Sequence, residues 1–383
     1  MNRLELTGLT THPAQVWGGI RLVPLVRERP VEGLRLHEEL YAEHGHGVVD
    51  LGPRAHYTSV IPHGFVADWS GGGEQSAAYG TQLGGADGRA PRTARLQRHR
   101  HHRMAKRRPG DRLRFLPLHL ALEGYLSLHF GGPSTAWEEW SRQALRDGLS
   151  PRAEDAYLGW SVRGLGDALR VFEIHPGQCG VMVYAADALA AAFAVPHPED
   201  YRLLHPSLVE DLYGELIHQH ALYGAPVAEF AARIPDGPGP VSLAGLRAAA
   251  RRQEREWAGA HDTLFAGELL DASYAFDRVY RMGGFTLWRF LPPFRPGGEG
   301  QHIGETITDH KGRVAYLKTF RLSEAQVRRG HLLHRLAAAH WRIAGAAEAL
   351  GTTEEEVVRR IRAAGFEALL RDRGRSFPGR TSR

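Results

Sequence analysis

Residues 177–217 read GQCGVMVYAADALAAAFAVPHPEDYRLLHPSLVEDLYGELI and contain strand and helix patterns in one continuous block. The Pro176–Gly177 turn separates a first predicted strand from a second strand that continues through Val183. A turn near Asp187 leads into a third strand that continues through Val195. Strands joined by such short turns favour antiparallel pairing.

Two helices are predicted after those strands. The second is expected to have Pro206 in its first turn, because proline is well tolerated at that position of a helix. Apolar residues then recur at helical spacing and mark the core-facing side, which consists of Leu208, Leu212, Leu216 and Ile217. Strands and helices in separate groups indicate an α+β fold with an antiparallel sheet.

The strand pattern returns further along the chain. Residues 281–294, RMGGFTLWRFLPPF, and residues 304–320, GETITDHKGRVAYLKTF, are typical of strands, and the second stretch contains a hairpin turn at Asp309–Gly312. A helical segment at 241–260 separates them from the earlier block. We therefore predict an α+β main domain over residues 1–322, with an antiparallel sheet and packed helices.

The C-terminal part has a different pattern. Residues 332–366, LLHRLAAAHWRIAGAAEALGTTEEEVVRRIRAAGF, are similar to the helix-turn-helix at the C-terminus of Fis-type regulators. Ala346 and Ala347 are small enough for a close helix crossing, and Gly351 permits a tight turn. The resemblance implies a small tri-helical domain, which we place at residues 323–372.

Two interpretations of this helical domain stay open. The first turn of its recognition helix contains the acidic run 354–356, which phosphates would repel, and this favours a structural role. Basic residues further along the helix, and a basic tail at 373–383, favour contacts with a phosphate backbone. The candidate polyanion-binding residues of this helix are Arg359, Arg360 and Arg362.

Composition limits the class of protein. The chain has 383 residues, of which 43% are hydrophobic and 24% charged, as in folded globular proteins. Its single cysteine, Cys179, excludes an intramolecular disulfide and a cysteine-based zinc site. The apolar stretch 181–195 is too short to span a membrane, and the N-terminus lacks a signal-peptide pattern. We expect a cytoplasmic protein with no membrane partner, no cofactor and no bound metal.

The positive charge is concentrated in one segment. The net charge is +5, yet residues 92–114 contain ten basic residues and one acid, so the remainder carries −4. The histidines of residues 92–114 lie beside arginines that repel a cation, and this argues against a metal site there. Because Gly-rich residues precede the segment, a flexible solvated loop at 70–114 is the alternative to polyanion binding. The candidate polyanion-binding residues here are Arg98, Arg100, Arg103, Lys106, Arg107 and Arg108.

Two stretches resemble a known family. Residues 8–25, GLTTHPAQVWGGIRLVPL, and the block at 177–217 are similar to the ARG-and-Rhodanese-Phosphatase-superfamily-associated protein domains. In that family a Gly-Gln-x-Gly turn leads into strands and then an acidic helical segment. ARG stands for ADP-ribosylglycohydrolase. The resemblance therefore implies an α+β fold and an association with ADP-ribose chemistry, and it implies no catalytic residue.

Three reactive residue types lie close together around the Pro176–Gly177 turn. They are Glu173, His175 and Cys179. A cysteine near a histidine is typical of an activated nucleophile, and a small buried apolar side chain is the alternative role for such a cysteine. The sequence contains no Walker loop, dinucleotide-binding glycine fingerprint, His-Glu-x-x-His motif or nucleophile elbow. These three residues are our candidates for catalysis.

Taken together, these patterns favour a binding or regulatory protein over an enzyme. Its α+β domain is expected to sense a nucleotide or ADP-ribose-type ligand, or a protein partner, and to couple it to the helix-turn-helix. One alternative is a DNA-binding transcriptional regulator that contacts nucleic acid through the basic loop and the helix-turn-helix. Another is an enzyme that acts on a phosphorylated or ADP-ribosylated substrate. The oligomeric state is left open.

Overall fold

One large antiparallel sheet organises the fold. The structure, a computed structural model, describes residues 2–36, 163–229 and 242–364, residues 366, 367 and 370, and four short strands between residues 47 and 77. Within these residues, helices pack on both faces of the sheet. The predicted α+β class is confirmed.

Strands occur in both the N-terminal and the C-terminal parts of the chain. In chain order they are β1 (Thr10–Thr11), β2 (Gln15–Trp17), β3 (Ile20–Val26), β4 (Arg35–Leu36), β5 (Gly47–Asp50), β6 (His56–Ser59), β7 (Val66–Asp68), β8 (Gln75–Ala77), β9 (Gln178–Ala185), β10 (Ala188–Ala194), β11 (Ala275–Met282), β12 (Phe285–Leu291), β13 (His302–Asp309) and β14 (Val314–Arg321). The nine-stranded main sheet has the order β1-β3-β9-β10-β14-β13-β12-β11, with β2 paired to β3. Two small sheets contain β4-β7-β8 and β5-β6.

The helices lie mainly between and after the two halves of this sheet. They are α1 (Leu165–Ala168), α2 (Pro198–Ser207), α3 (Gly214–Tyr223), α4 (Leu243–Leu264), α5 (Gly267–Leu270), α6 (Glu324–Ala338), α7 (Ile343–Ala349) and α8 (Glu354–Ala363). A 3-10 turn at Leu169–Val171 follows α1, and a π-helical turn at Leu208–Leu212 follows α2.

The predicted hairpin in the central block is present as β9 and β10. Ala186 and Asp187 form its turn with left-handed backbone angles, and Arg21 of β3 makes a 2.6 Å ion pair with Asp187. The strands approach closely at Gly180, where a Cβ atom would lie 2.3 Å from the Phe193 carbonyl oxygen. Glycine at position 180 is therefore required for this pairing. The predicted hairpin at Asp309–Gly312 is also present, between β13 and β14.

The strand predicted before the Pro176–Gly177 turn is wrong. Residues 165–171 form α1 and a 3-10 turn instead. Leu165, Leu169 and Phe172 are buried, whereas Val171 is 54% exposed. Buried residues four and three positions apart follow the helical period, and this pattern decides the local structure.

The predicted helix start at Pro206 is also wrong. Pro206 lies inside α2, near its C-terminal end, and the chain continues directly into the π-helical turn. Proline lacks the N–H that an interior helical position needs, and irregular helical geometry commonly accommodates it. The core-facing side is nevertheless correct, because Leu208, Leu212 and Ile217 are fully buried.

The main sheet has two buried faces, which we call face 1 and face 2. Face 1 packs against α2, the π-helical turn and α3, and its core is continuous with that of α6–α8. Phe193 and Phe320 are sheet residues of this core. Face 2 packs against α5, the end of α4 and the N-terminal segment, with Met182 and Leu317 in its core. Side chains alternate between the two faces along each strand.

Helices α6–α8 occupy the segment predicted as tri-helical. A capping box of Ser323 and Gln326 begins α6. Gly330 lies directly against Phe294, since a Cβ atom at residue 330 would be 2.2 Å from the Phe294 ring. His331 Nδ1 donates a 2.9 Å hydrogen bond to the Phe294 carbonyl oxygen. These contacts hold α6 to the loop after β12, while the domain boundary and the helix-turn-helix assignment stay predictions.

The predicted loop at 70–114 and the basic tail are described only in small part. Residues 75–77 of that loop form β8. The rest of the loop and the basic tail lie outside the described residues. No helix in the described ranges is long and apolar enough to cross a membrane.

Candidate functional site

The structure separates Cys179 from the other two predicted catalytic residues. Cys179 is fully buried in the face 2 core, with its Sγ atom 3.5 Å from the Leu25 carbonyl oxygen. Burial raises the pKa of the Cys179 thiol to about 11, although the nearby Arg27 opposes this shift. At neutral pH such a thiol is protonated and is a poor nucleophile.

His175 and Glu173 lie in the loop that precedes β9. The His175 ring centroid is 4.4 Å from that of His12, and its Nδ1 donates a 2.6 Å hydrogen bond to the Pro176 carbonyl oxygen. The Gln15 side chain bonds to the backbone N–H and carbonyl of Glu173, both at 2.7 Å. Gln15 thereby fixes this loop to β2. No cluster of three metal-binding side chains occurs among the described residues.

The predicted polyanion-binding arginines of α8 lie on its surface and are paired with carboxylates. Glu356 contacts Arg359 at 2.7 Å and Arg360 at 2.8 Å, and Glu367 lies 3.8 Å from Arg362. The acidic first turn of the helix thus neutralises two of its own cations. The predicted loop residues Arg98, Arg100, Arg103, Lys106, Arg107 and Arg108 lie outside the described residues.

A row of alternating charges crosses face 1 in the C-terminal half of the sheet. Cross-strand register pairs Asp277 of β11 with Arg289 of β12, Arg289 with Glu305 of β13, and Glu305 with Lys318 of β14. The next residue in the row is Phe193 of β10. We call the four residues from Asp277 to Lys318 the charged row. It runs from the open edge of the sheet, where Asp277 is exposed, into the core.

The inner end of the charged row is fully buried. Neither Glu305 nor Lys318 has solvent-accessible surface, and the Tyr316 hydroxyl donates to Glu305 Oε1 at 3.4 Å. The Lys318 ammonium lies 5.7 Å from the Phe320 ring centroid. Burial lowers the pKa of Lys318 well below its usual value, and the Glu305 carboxylate opposes this shift. Buried charges carry a large desolvation cost and are common at functional sites.

Arg289 differs from these inner residues because it has no partner in the described part of the chain. It retains 9% of its surface, and its Nε atom is buried without a hydrogen bond. Within the described residues its guanidinium makes no ion pair, although Asp277 and Glu305 lie on both neighbouring strands. A buried Nε–H without a hydrogen bond carries a desolvation cost, and a ligand that accepts hydrogen bonds from the guanidinium would offset it.

The strand that carries Arg289 leads directly to the C-terminal helices. β12 ends at Leu291, and Phe294 follows three residues later in a left-handed conformation with a φ of 47°. Phe294 is buried against Gly330 of α6. A displacement of β12 would therefore act on α6 through a short, packed segment.

The geometry of the charged row suits anion binding better than bond cleavage. A guanidinium with free donors can hold a phosphate or carboxylate through forked hydrogen bonds. The inner pair of Glu305 and Lys318 lies too deep in the core to reach a ligand. The comparison with known proteins gives the family: the ARPP-2 model matches residues 4–283.

The chain belongs to the ARPP-2 family.

The ARPP-2 match confirms the resemblance to the ARG-and-Rhodanese-Phosphatase-associated family that the sequence predicts. It begins near the N-terminus and includes β1–β3, β9, β10 and β11 of the main sheet. Arg289, Glu305 and Lys318 follow the matched segment, as do helices α6–α8. Neither a search of curated proteins nor a search of solved structures finds a match to this ARPP-2 chain.

Sequence reasoning missed the charged row, but one signal of it was present. Lysine is rare in this ARPP-2 protein, since only three of its 48 basic residues are lysines. One of them, Lys318, stands at an inward position of a largely apolar strand, VAYLKTF. An ionisable residue in such a position indicates a buried partner on a neighbouring strand.

Proposed function

We propose that this ARPP-2 protein is a binding and regulatory protein that holds an anionic ligand at Arg289. The single observation that carries the proposal is the nearly complete burial of Arg289 without a hydrogen-bond or ion-pair partner in the described residues. An arginine at this depth that makes no ion pair in the described residues favours an anion over a neutral or cationic ligand. Catalysis is not part of the proposal.

The proposed ligand is of the nucleotide or ADP-ribose type. Phosphate oxygens match the forked donors of a guanidinium, and the association of the family with ADP-ribosylglycohydrolases favours this class. The association is weaker support than the site itself. The exposed Asp277 at the outer end of the charged row offers an acceptor for sugar hydroxyl groups.

The proposal includes a route from the ligand to the C-terminal helices. Binding at Arg289 would change the position or mobility of β12, and Phe294 would pass that change to Gly330 of α6. The continuous core of face 1 joins the same helices to the sheet. In this scheme α6–α8 report the bound state to a partner.

A thermal-shift panel tests the ligand class. ADP-ribose, ADP, AMP and inorganic pyrophosphate are compared with uncharged adenosine and ribose. A ligand at 100 times its Kd stabilises the folded state by roughly 2.7 kcal/mol, which corresponds to an increase of about 3 °C in Tm for a chain of 383 residues. We expect this increase with at least one phosphate compound and with neither uncharged compound.

The control is Arg278→Gln, which removes an exposed arginine from the opposite side of the neighbouring strand β11. This variant should respond to the ligand as the wild type does, whereas Arg289→Gln should not. Hydrogen exchange then tests the coupling, because ligand binding should slow exchange in α6. The absence of any shift across the panel, or equal shifts in both variants, would contradict the proposal.

A further inference from the structure

Helix α4 carries a line of exposed arginines along one side. Arg247, Arg251 and Arg255 are four residues apart and are all exposed. We call these three residues the arginine stripe. With a rise of about 1.5 Å per residue, neighbouring guanidiniums leave the helix about 6 Å apart, and the stripe spans about 12 Å. A fourth exposed arginine, Arg252, lies at its border.

The arginine stripe makes no ion pair in the described part of the protein, although Glu254 lies within one helical turn of Arg251 and Arg255. None of its three members makes an ion pair or hydrogen bond there. The arginines of α8 differ, since Glu356 binds both Arg359 and Arg360. Three unpaired cations on one helix repel one another, and an external polyanion would relieve this repulsion.

The surroundings of the stripe suit a phosphate backbone. Ala244 and Ala248 are exposed on the same side of the helix and leave the surface low between the arginines. The exposed Leu243 and Leu246 continue the side of α4 that faces the sheet, so they do not lie between the guanidiniums. A lipid surface would need such apolar side chains beside the cations.

The helix is held firmly to the sheet at its C-terminal half. His261 Nε2 and the Tyr184 hydroxyl are 2.7 Å apart, and Thr11 donates to Asp262 at 3.0 Å. The His261 ring also stacks on that of Trp257, at 4.9 Å between centroids. The arginine stripe therefore projects from a fixed support, which lowers the entropy cost of binding a partner.

We propose that the arginine stripe of α4 is a docking surface for the phosphate backbone of a nucleic acid, without base specificity. One strand of a duplex carries one charge per about 3.4 Å of axis, so a 12 Å stripe faces three to four phosphates. The stripe contains no aromatic side chain that could stack on bases. This surface is separate from Arg289 and does not depend on the ligand proposed there.

Fluorescence anisotropy of the full-length protein tests the proposal. The probes are a labelled 20-base-pair random DNA duplex and a single-stranded RNA of the same length, titrated between 50 and 300 mM KCl. The test variant is Arg247→Gln/Arg251→Gln/Arg255→Gln. We expect its affinity for the duplex at 100 mM salt to fall at least about tenfold, and the slope of log K against log salt to decrease by about 2.7, which is 0.9 for each lost contact.

The control is Arg29→Gln/Arg202→Gln/Arg335→Gln, which removes three exposed arginines that make no ion pair in the described residues and lie at scattered positions. Both variants lower the net charge equally, so a bulk charge effect would appear in both. An unchanged slope in the stripe variant, equal losses in both variants, or no binding by the wild type would overturn the proposal. The proposal would also be overturned, in favour of a lipid partner, if the stripe variant lost binding to vesicles with 30% phosphatidylserine and kept its binding to nucleic acid.

Discussion

Lys318→Met tests the buried end of the charged row. The change removes the amine and keeps a side chain of similar length. Lys318 and Glu305 are cross-strand partners, and both are fully buried. Without the amine, the Glu305 carboxylate loses its neighbouring cation and keeps the Tyr316 hydroxyl, 3.4 Å from Oε1. The variant therefore leaves the Glu305 carboxylate in the core without its electrostatic interaction with the Lys318 amine.

The size of the effect follows from that geometry. Removing one partner of a buried ion pair costs about 3–5 kcal/mol of unfolding free energy. We expect a loss of about 3 kcal/mol for Lys318→Met, at the lower end of this range. Glu305 can take up a proton and so lose its charge, at a cost of about 1.4 kcal/mol for each unit of pKa change. The double variant Lys318→Met/Glu305→Met removes both charges and should return to within about 1 kcal/mol of the wild type.

Urea unfolding followed by circular dichroism at pH 7.5 measures these differences. Lys311→Met is the matched control, because it removes an exposed lysine at the β13–β14 turn and should change stability by less than about 0.5 kcal/mol. Equal stability of Lys318→Met and this control would refute the expected loss of a counter-ion. A double variant that is as unstable as Lys318→Met, or less stable, would refute it as well.

Three further predictions concern other parts of the structure. His302 is fully buried with no hydrogen bond to its ring in the described residues, and burial lowers its pKa from 6.5 to about 3. Between pH 6.5 and about pH 3 the unfolded chain binds a proton at His302 that the native state does not bind. The free energy of unfolding therefore falls by about 1.4 kcal/mol for each pH unit below pH 6.5. Urea unfolding at about pH 7 and pH 5 should show no such loss in His302→Leu. Gly330→Ala places a Cβ atom against the Phe294 ring and should lower Tm by several degrees, whereas Gly259→Ala, with no atom within 4 Å, should raise stability by about 1 kcal/mol. Cys179 should react with iodoacetamide only as fast as the protein unfolds, because its thiol is buried and its pKa is raised to about 11.

Each of these expectations has a contradicting result. An identical pH dependence in His302→Leu would show that another group causes the acid sensitivity. Equal Tm values for Gly330→Ala and the wild type would remove the tight contact between α6 and the Phe294 loop. Rapid alkylation of Cys179 in the folded protein would restore it as a candidate nucleophile.

The parts of the fold that depend on local pattern could be predicted from the sequence. The hairpin at 178–194, the hairpin at Asp309–Gly312 and the helix within 241–260 are all present. Errors arose where two local signals conflicted. Val171, Phe172 and Ile174 favour a strand, whereas the burial of Leu165, Leu169 and Phe172 follows the period of a helix. Proline favours a helix start, whereas Pro206 lies near the end of α2, before the π-helical turn.

The candidate site could not be predicted in this way. The charged row depends on the register of four strands that span residues 275–321, and no local window contains more than two of its members. The contact between Phe294 and Gly330 likewise depends on how α6 packs on the loop after β12. The predicted residues Glu173, His175 and Cys179 are close in sequence, but β9 directs Cys179 into the face 2 core.

Isothermal titration of ADP-ribose into the wild type, Arg289→Gln and Arg278→Gln tests anion binding at Arg289 most directly. We expect saturable binding with one site in the wild type and in Arg278→Gln, and at least about a tenfold loss of affinity in Arg289→Gln, which corresponds to about 1.4 kcal/mol for a charge-assisted contact. Equal affinity in all three proteins would show that the ligand binds elsewhere. The absence of binding heat in the wild type would contradict the proposed ligand site.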